Sequence, residues 1–398
     1  AIDDAQGDDR HVKAALSGLG GFVGQGDTLD YLNLTLAYAA RGCRRYASPD
    51  YPNVISDIEA FRRIKPLRRS DVEADFPSIC VKAAPVDYYT ATSATTTGRS
   101  LLVPHCRAEN EMLSVYASAL GGDNAAKESP FGMTLRLMPA GRLIGAPLGT
   151  GNTVLAAYET NAVRENIWDL WDYIAGQVYA EFPTSDGSLP IKTIHATPAF
   201  GLILLTKYML QRGLDPSETE VQHLLITGSW IGPKTWKWLS DSWKADVHTT
   251  YSCSELVGSA IECPQHPGRY HFGLHVMPEI IRSDGNHAEV GEQGEVLMTG
   301  LYPFHQSAIF LRYEIGDWGR WCGTDCDCGS HGPALELLGR KGDVVWFTSR
   351  DGTRWPIPPV PIRNALDRFE CVPKIPRPQY KMRLIDRTST RLNSSHIT

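Results

Sequence analysis

The chain lacks a long apolar run, an excess of basic charge and any internal repeat, and each absence excludes a class of protein. Its apolar stretch at residues 199–205 is cut by Thr206 and Lys207, far short of the roughly 18–20 residues that cross a bilayer. With 39 Lys+Arg against 45 Asp+Glu, the formal charge is −6, which argues against wholesale wrapping of nucleic acid by a basic face. Residues 1–10 are polar and acidic, without the apolar centre of a signal peptide. The expectation is a soluble cytoplasmic protein with neither nucleic acid nor membrane as partner; nothing in the sequence announces an oligomeric state. Nine cysteines are an odd count, which fits poorly with a disulfide framework and better with free thiols plus a metal site.

The 398 residues, 42% of them hydrophobic, amount to two or three folding units at roughly 150 residues per domain. Residues 165–181 place Ile167, Leu170, Trp171, Ile174 and Val178 at spacings of three and four, the apolar stripe of a packed helix. Thr197-Pro198-Ala199 opens a second apolar helix to about Arg212, closed by Gly213 and followed by Asp215-Pro216. Short apolar strands are expected at 223–226, 247–249, 296–299 and 344–347. Helices alternating with buried strands predict an α/β fold with ligand loops at strand ends. Four prolines within 356–361 predict a linker or the entry to a small last lobe. Residues 386–398 have no apolar face and resemble the translation of a sequencing adapter, so they are expected to be non-native.

Four segments carry chemistry. Residues 89–99 form a hydroxyl-dense loop (Thr92, Ser93, Thr95, Thr96, Thr97) ending in Gly98 and Arg99; hydroxyls, amides and a guanidinium in one turn suit phosphate oxygens. At the end of an expected strand, Tyr251-Ser252-Cys253-Ser254-Glu255 supplies a ring for a purine, hydroxyls for phosphate and a carboxylate for a divalent cation. In Arg312-Tyr313-Glu314-Ile315-Gly316-Asp317, a carboxylate after a glycine turn can accept both hydroxyls of a ribose. Gly339-Arg340-Lys341-Gly342-Asp343 is a strand-edge turn with a cation. Each alone is ordinary turn chemistry, whereas their order along the chain is specific.

That order resembles the adenylate-forming superfamily, most nearly its phenylacetate-CoA ligase-like branch, over roughly residues 50–385. Ile194-His195-Ala196-Thr197-Pro198, Ile226-Thr227-Gly228-Ser229 and Gly294–Gly300 support it. The resemblance implies a large multi-subdomain α/β adenylation domain over 1–340 and a hinge with the start of a small α+β lobe over 341–385, most of that lobe being absent. It implies that residues 92–98 are the phosphate loop, Gly228 and Ser229 part of the adenine pocket, and Tyr251, followed by Ser252, the adenine-stacking ring. Ser254 would contact phosphate, Glu255 would bind Mg²⁺, Asp317 would hold the ribose, and Arg340 would sit beside it. The chain departs from the pattern at Ala94-Thr95, where Ser or Gly is usual, at Arg99 for Lys, at Ser252 for Gly, and at Gly342, where a hinge carboxylate is common. A lost glycine restricts backbone approach to phosphate.

Two further clusters read as metal ligands: Glu262, Cys263, His266 and His271, then Cys322, Cys326, Cys328 and His331. Zn²⁺ takes four N/S ligands, and thiolates from two loops would staple them together. Some members of the same branch are similar, and the expected set is Cys263, His271, Cys326 and Cys328, with His266 as the competing histidine. The implied activity is ATP-dependent activation of a carboxylic acid, possible aromatic acids included, to an acyl-adenylate, then thioester formation with CoA; the cofactors implied are ATP, Mg²⁺, CoA and structural Zn²⁺. Two alternatives remain open: a catalytically impaired zinc-stabilised nucleotide module, and an adenylating enzyme delivering its acyl group to a carrier protein or an amine. The tryptophans Trp230, Trp236, Trp238 and Trp243 suit either an aromatic-acid pocket or helix packing.

Overall fold

The alternation of helices and apolar strands is realised as one twelve-stranded sheet in a computed structural model, which describes residues 25–92, 100–113, 116, 133–139, 153–158, 168–184 and 187–367. The first elements are helices α1 (Gln25–Gly42), α2 (Ile58–Arg62) and α3 (Arg69–Ala74), then a two-stranded pair, β1 (Tyr88–Ala91) and β2 (Leu102–His105). Next come β3 (Met133–Pro139), β4 (Thr153–Tyr158), α4 (Trp168–Tyr179), β5 (Glu181–Thr184), β6 (Gly187–Ala196), α5 (Ala199–Gln211), β7 (His223–Thr227), α6 (Pro233–Trp243) and β8 (Asp246–Tyr251). The remaining sheet strands are β9 (Ala260–Glu262), β10 (Arg269–His271), β11 (Val276–Ile281), β12 (Gln293–Gly300), β13 (Tyr313–Asp325) and β14 (His331–Arg340). A separate hairpin of β15 (Val345–Thr348) and β16 (Arg354–Ile357) precedes α7 (Pro359–Asp367).

Strands β8, β7, β6, β3 and β4 lie side by side and parallel. From β8 the sheet continues through β9, β10, β14, β13, β12 and β11, each antiparallel to its neighbour. The parallel half buries one alternate face: Leu135, Leu137, Ile194, Ala196, Leu224 and Ile226 pack against Ile174, Leu202 and Leu205 of the helices. Each such aliphatic side chain removed from water contributes about 1.5–3 kcal/mol. Helix α5 ends where Gly213 takes a left-handed φ of 74°, the usual stop after a last helical turn. A second core joins Leu32, Leu36 and Ala39 of α1 to Phe61, Leu67, Val296, Ile309 and Phe310 beneath the antiparallel half.

The proline run differs from a structureless linker. Pro359 and Pro361 fall in the first turn of α7, where a helix amide has no acceptor to lose, and Pro356 sits in the two-stranded hairpin. Helix α7 then returns to the sheet domain, where the Asp367 carboxylate accepts from the Lys234 amide at 2.7 Å and from Thr235 Oγ1 at 3.3 Å. It thereby caps α6, whose own N-cap is the side-chain-free Gly232. Among the described residues no helix is long and apolar enough to cross a membrane.

Candidate active site

Strands β6, β7 and β8 all end towards one side of the parallel half, at Ala196, Thr227 and Tyr251. β8 is also the strand at which the sheet changes from parallel to antiparallel. Crevices beyond the carboxyl ends of parallel strands, at such a change of order, are where open α/β sheets take ligands.

The tyrosine, the ribose-type carboxylate and the strand-edge arginine singled out from sequence come together there. Tyr251 donates its hydroxyl proton to Asp317 Oδ2 at 2.7 Å, and Arg340 Nη1 lies 3.2 Å from Asp317 Oδ1. β13 and β14 set this up by pairing Asp317 with Arg340 across the ladder; the glycine turn expected before Asp317 is instead a bulge within β13, where Gly316 takes φ 80°. Burial pushes the Asp317 carboxyl above its ordinary range, against the pull of Arg340 and Tyr251, and the like charge of Glu255 pushes the same way. Burial, then Asp317, raises the Tyr251 phenol well above its usual value. A carboxylate has about four acceptor positions, so Asp317 keeps room for hydroxyls of a ligand.

Glu255 is engaged rather than free. Its Oε1 accepts from Arg69 Nη1 at 3.1 Å and from the Tyr313 hydroxyl at 3.2 Å. Arg69 also donates to Thr92 Oγ1 at 3.2 Å and to Glu73 at 2.8 Å, so one guanidinium joins the first residue of the expected phosphate loop to the expected cation ligand. Thr92 is further tied to Leu101, its hydroxyl accepting from that amide at 2.9 Å. Ser93, Thr95, Thr96, Thr97, Gly98 and Arg99 lie outside the described residues, as do residues 368–398.

The turn that carries Glu255 is strapped at both ends by buried histidines. At one end Thr90 donates to the Ser254 carbonyl at 2.6 Å and meets His105 Nε2 at 2.8 Å; His105 Nδ1 faces Glu109 Oε2 at 3.3 Å. With its one proton given to Ser254, Thr90 accepts from the ring. Glu109 Oε1 accepts from the Gln306 and Ser307 amides at 2.6 and 2.8 Å. Burial alone would raise the Glu109 carboxyl, but the bonds from His105 and those amides carry it below the usual range. At the other end the Val257 amide donates to His305 Nε2 at 2.9 Å. That ring must be neutral to accept, which agrees with burial pushing His305 down to about 4.

Of the pair expected in an adenine pocket, Gly228 takes φ 73°, and the Ser229 hydroxyl accepts from the Ala199 amide at 2.9 Å, capping α5. Thr227 Oγ1 bonds Thr250 Oγ1 at 2.7 Å and His195 Nε2 at 2.9 Å, a polar row across the strand ends. Ser252 and Ser254 stand half-buried in the turn after Tyr251. Arg312 has a different task from its neighbours in the third motif. Its buried guanidinium bonds Glu279 Oε2 at 3.0 Å and the carbonyls of Arg62 and Ile64, fixing the segment that leads into α3 and Arg69. Trp243 is core, donating to Thr206 at 2.8 Å, and Trp236 is exposed.

Arg69, Thr90, His105 and Glu109 carry much of the site, and of these only Thr90 falls within a segment singled out from sequence, the hydroxyl-dense loop of residues 89–99. Arg69 gives no local signal, because its partner is 186 residues away.

Cys263, His271, Cys326 and Cys328 present donor atoms that all lie within 4.8 Å of one another. Cys263 Sγ and Cys326 Sγ are 3.8 Å apart, and Cys328 Sγ is 3.4 Å from His271 Nε2. Ligands of one tetrahedral zinc at Zn–S ≈ 2.3 Å and Zn–N ≈ 2.0–2.1 Å would stand about 3.8 Å and about 3.5 Å apart. The residues therefore fit such an ion. The Cys328 amide, with Arg269, lowers the Cys326 thiol, favouring the thiolate a metal needs. His266 turns instead to Asp327 Oδ1 at 2.5 Å, and Cys322 bonds the Arg320 carbonyl.

No protein-family model matches the chain, and no curated protein matches it in sequence. Solved structures do. 2-Hydroxyisobutyryl-CoA ligase, in an open conformation with 2-HIB-AMP and CoA, superposes with a TM-score of 0.62 at 16% identity, covering 87% of this chain and 75% of that one. AtGH3.15 acyl acid amido synthetase, in complex with 2,4-DB, gives a TM-score of 0.55 at 12% identity, covering 86% of this chain and 72% of that one. The chain thus has the mixed α/β fold of the adenylate-forming enzymes, as its motif order implied.

Proposed function

We propose that the chain activates a carboxylic acid with ATP and transfers the acyl group to CoA, as an acid–thiol ligase of the phenylacetate-CoA ligase-like kind. The observation that carries this reading is the convergence of Thr92, Glu255, Tyr251, Asp317 and Arg340 beyond the ends of the parallel strands. A carboxylate oxygen attacks the α-phosphorus of ATP, the bond from that phosphorus to the bridging oxygen breaks, and pyrophosphate leaves. The CoA sulfur then attacks the acyl carbon, the bond to AMP breaks, and the thiol proton passes to solvent.

In this reading the Tyr251 ring walls the adenine, Asp317 accepts the ribose hydroxyls, and Ser254 and the loop beginning at Thr92 donate to phosphate. Glu255 would hold Mg²⁺, which when bound offsets phosphate charge. Arg69 already neutralises Glu255, so loading the site exchanges one cation for another instead of burying a new charge. Cys263, His271, Cys326 and Cys328 would hold a zinc ion with no open position, joining the loop after β9 to the β13–β14 hairpin.

Carboxylate-dependent exchange of labelled pyrophosphate into ATP over a panel of acids tests the reading. Exchange with any acid supports it. ATP binding without exchange supports the silent nucleotide module, a second reading favoured by the Arg69 cation on the carboxylate meant for Mg²⁺. Competition between CoA and amine acceptors separates the thiol ligase from an amide-forming enzyme.

A further inference from the structure

Among the described residues, one group of metal-type donors shares no member with the thiolate cluster or the nucleotide site: His223, Asp246 and His248. His223 opens β7 and Asp246 opens β8, and the parallel register sets these two residues directly side by side. His248 follows Asp246 by two positions, which in a strand returns it to the same face. On the opposite face, Leu224 and Val247 are buried against the helices, so the register turns the three polar side chains away from that core. Asp246 and His248 are exposed and His223 is half-buried.

The donors are close without being joined. His223 Nδ1 and Asp246 Oδ2 are 4.0 Å apart, the two imidazole rings have centroids 6.0 Å apart, and one donor atom from each residue lies within 4.8 Å of the others. Ligands sharing one zinc-like ion at 2.0–2.2 Å stand about 3.3–3.5 Å apart. Closing the set therefore takes only side-chain movement of an ångström or so. The backbone beneath is held by the ladder, because β7 lies between β6 and β8 and pairs with both from His223 onward. Two imidazoles and one carboxylate suit borderline divalent ions; Mg²⁺ and Ca²⁺ prefer all-oxygen sets, and soft Cu(I) prefers sulfur.

We propose that His223, Asp246 and His248 form a three-ligand, solvent-open site for a divalent transition ion of the zinc–copper class. It is separate from the thiolate set and lies at the opposite end of β7 from Thr227, about 13 Å away at ~3.3 Å per residue. An ion there reaches neither the nucleotide nor the acid. It would pin β7 to β8 from outside and offer open positions to a solvent or protein donor.

The test uses the full chain loaded with a single equivalent of Zn²⁺ for the thiolate set, then titrated with Cu²⁺ as the probe and followed by calorimetry and by electron paramagnetic resonance. The expected result is one further equivalent of Cu²⁺ with two imidazole nitrogens in its coupling pattern. Binding should weaken at least tenfold in both His248→Gln and Asp246→Asn, and one nitrogen should be lost in the former. His266→Gln should leave the titration unchanged, and Mg²⁺ should not compete. A titration that is the same in the double variant His223→Gln/His248→Gln, or a spectrum with a single nitrogen, would mean adventitious surface binding and overturn the proposal. Because these side chains lie off the core, circular dichroism of the variants should match the parent.

Discussion

Replacing Thr90 by valine removes a hydroxyl and keeps the shape, so it isolates the strap that holds the Ser254–Glu255 turn. Thr90 serves two partners at once, the Ser254 carbonyl at 2.6 Å and His105 Nε2 at 2.8 Å. Valine leaves both without a mate, at about 1–3 kcal/mol for each fully buried polar group. The added methyl returns at most about 0.8 kcal/mol. Thr90 is half-buried, so water repairs part of the damage, and a loss of about 1–3 kcal/mol is expected from these terms. Thr90→Ser keeps the hydroxyl and should lose no more than the value of one methyl, about 0.8 kcal/mol. Urea unfolding midpoints of the three proteins measure the difference, and titration of ATP with Mn²⁺ in place of Mg²⁺ reads the effect on Glu255. Valine should weaken Mn²⁺–ATP binding by roughly tenfold, about 1.4 kcal/mol, while serine should not. Valine and serine variants with equal midpoints and equal Mn²⁺–ATP affinity would refute the strap.

Asp317→Asn should separate folding from binding: burial already raises this carboxyl, so a neutral amide should change stability by less than about 1 kcal/mol, while nucleotide affinity should fall at least tenfold in calorimetry. Cys263→Ser should lower bound zinc, read by elemental analysis, from one equivalent to a small fraction of one, and should expose the β13–β14 hairpin to limited proteolysis; unchanged zinc content would refute the ligand set. Acid should destabilise the fold between pH 6.5 and 4. His195 and His305 are pushed down to about 4 and His275 to about 3, each chiefly by burial. Their neutral forms contribute stability that is full above the ordinary histidine value and is lost as pH falls towards the depressed one. For His305 this is on the order of 3 kcal/mol at 1.36 kcal/mol per pH unit. Urea midpoints that stay level from pH 7 to pH 5 would show these rings to be solvated.

The parts of the site legible in the sequence are those that single strand ends deliver. Tyr251 and Asp317 stand in contiguous motifs beside turns, and the strand register alone brings Asp317 to Arg340. The three clustered cysteines were legible because two short loops each carry a recognisable spacing. The choice between His266 and His271 was not, since it depends on β10 pairing with both β9 and β14, which sets His271 beside the hairpin while the preceding turn gives His266 to Asp327. Arg69, Glu109 and the partner of Thr90 were illegible for a related reason: the contacts lie far along the chain and are met only when α3 and the β1–β2 pair dock on the sheet. The strands and α5 were readable because their periods are local, whereas the proline run, read as a linker or lobe entry, did not reveal that Pro359 and Pro361 open a helix, which depends on the contacts α7 makes.

Two ion pairs lie in the antiparallel half of the sheet, and they differ in how closed they are. Glu279 and Arg312 are both nearly inaccessible, carbonyls of Arg62 and Ile64 take Nη1 of the guanidinium, and Nη2 meets His287 Nε2 at 3.3 Å. Such a pair cannot exchange partners without stranding a charge, which costs about 3–5 kcal/mol, so it fixes geometry. Arg312 holds φ 49° and its carbonyl receives the Leu67 amide at 3.0 Å, just ahead of α3. Asp317 is also buried, but its partner Arg340 is about half exposed, 48% at the side chain. That pair can open towards solvent and accept a polar ligand while the frame around it stays fixed. The closed pair therefore aims Arg69 and Tyr313 at Glu255, and the open pair leaves the Asp317 end as the place where a ligand's hydroxyls can enter.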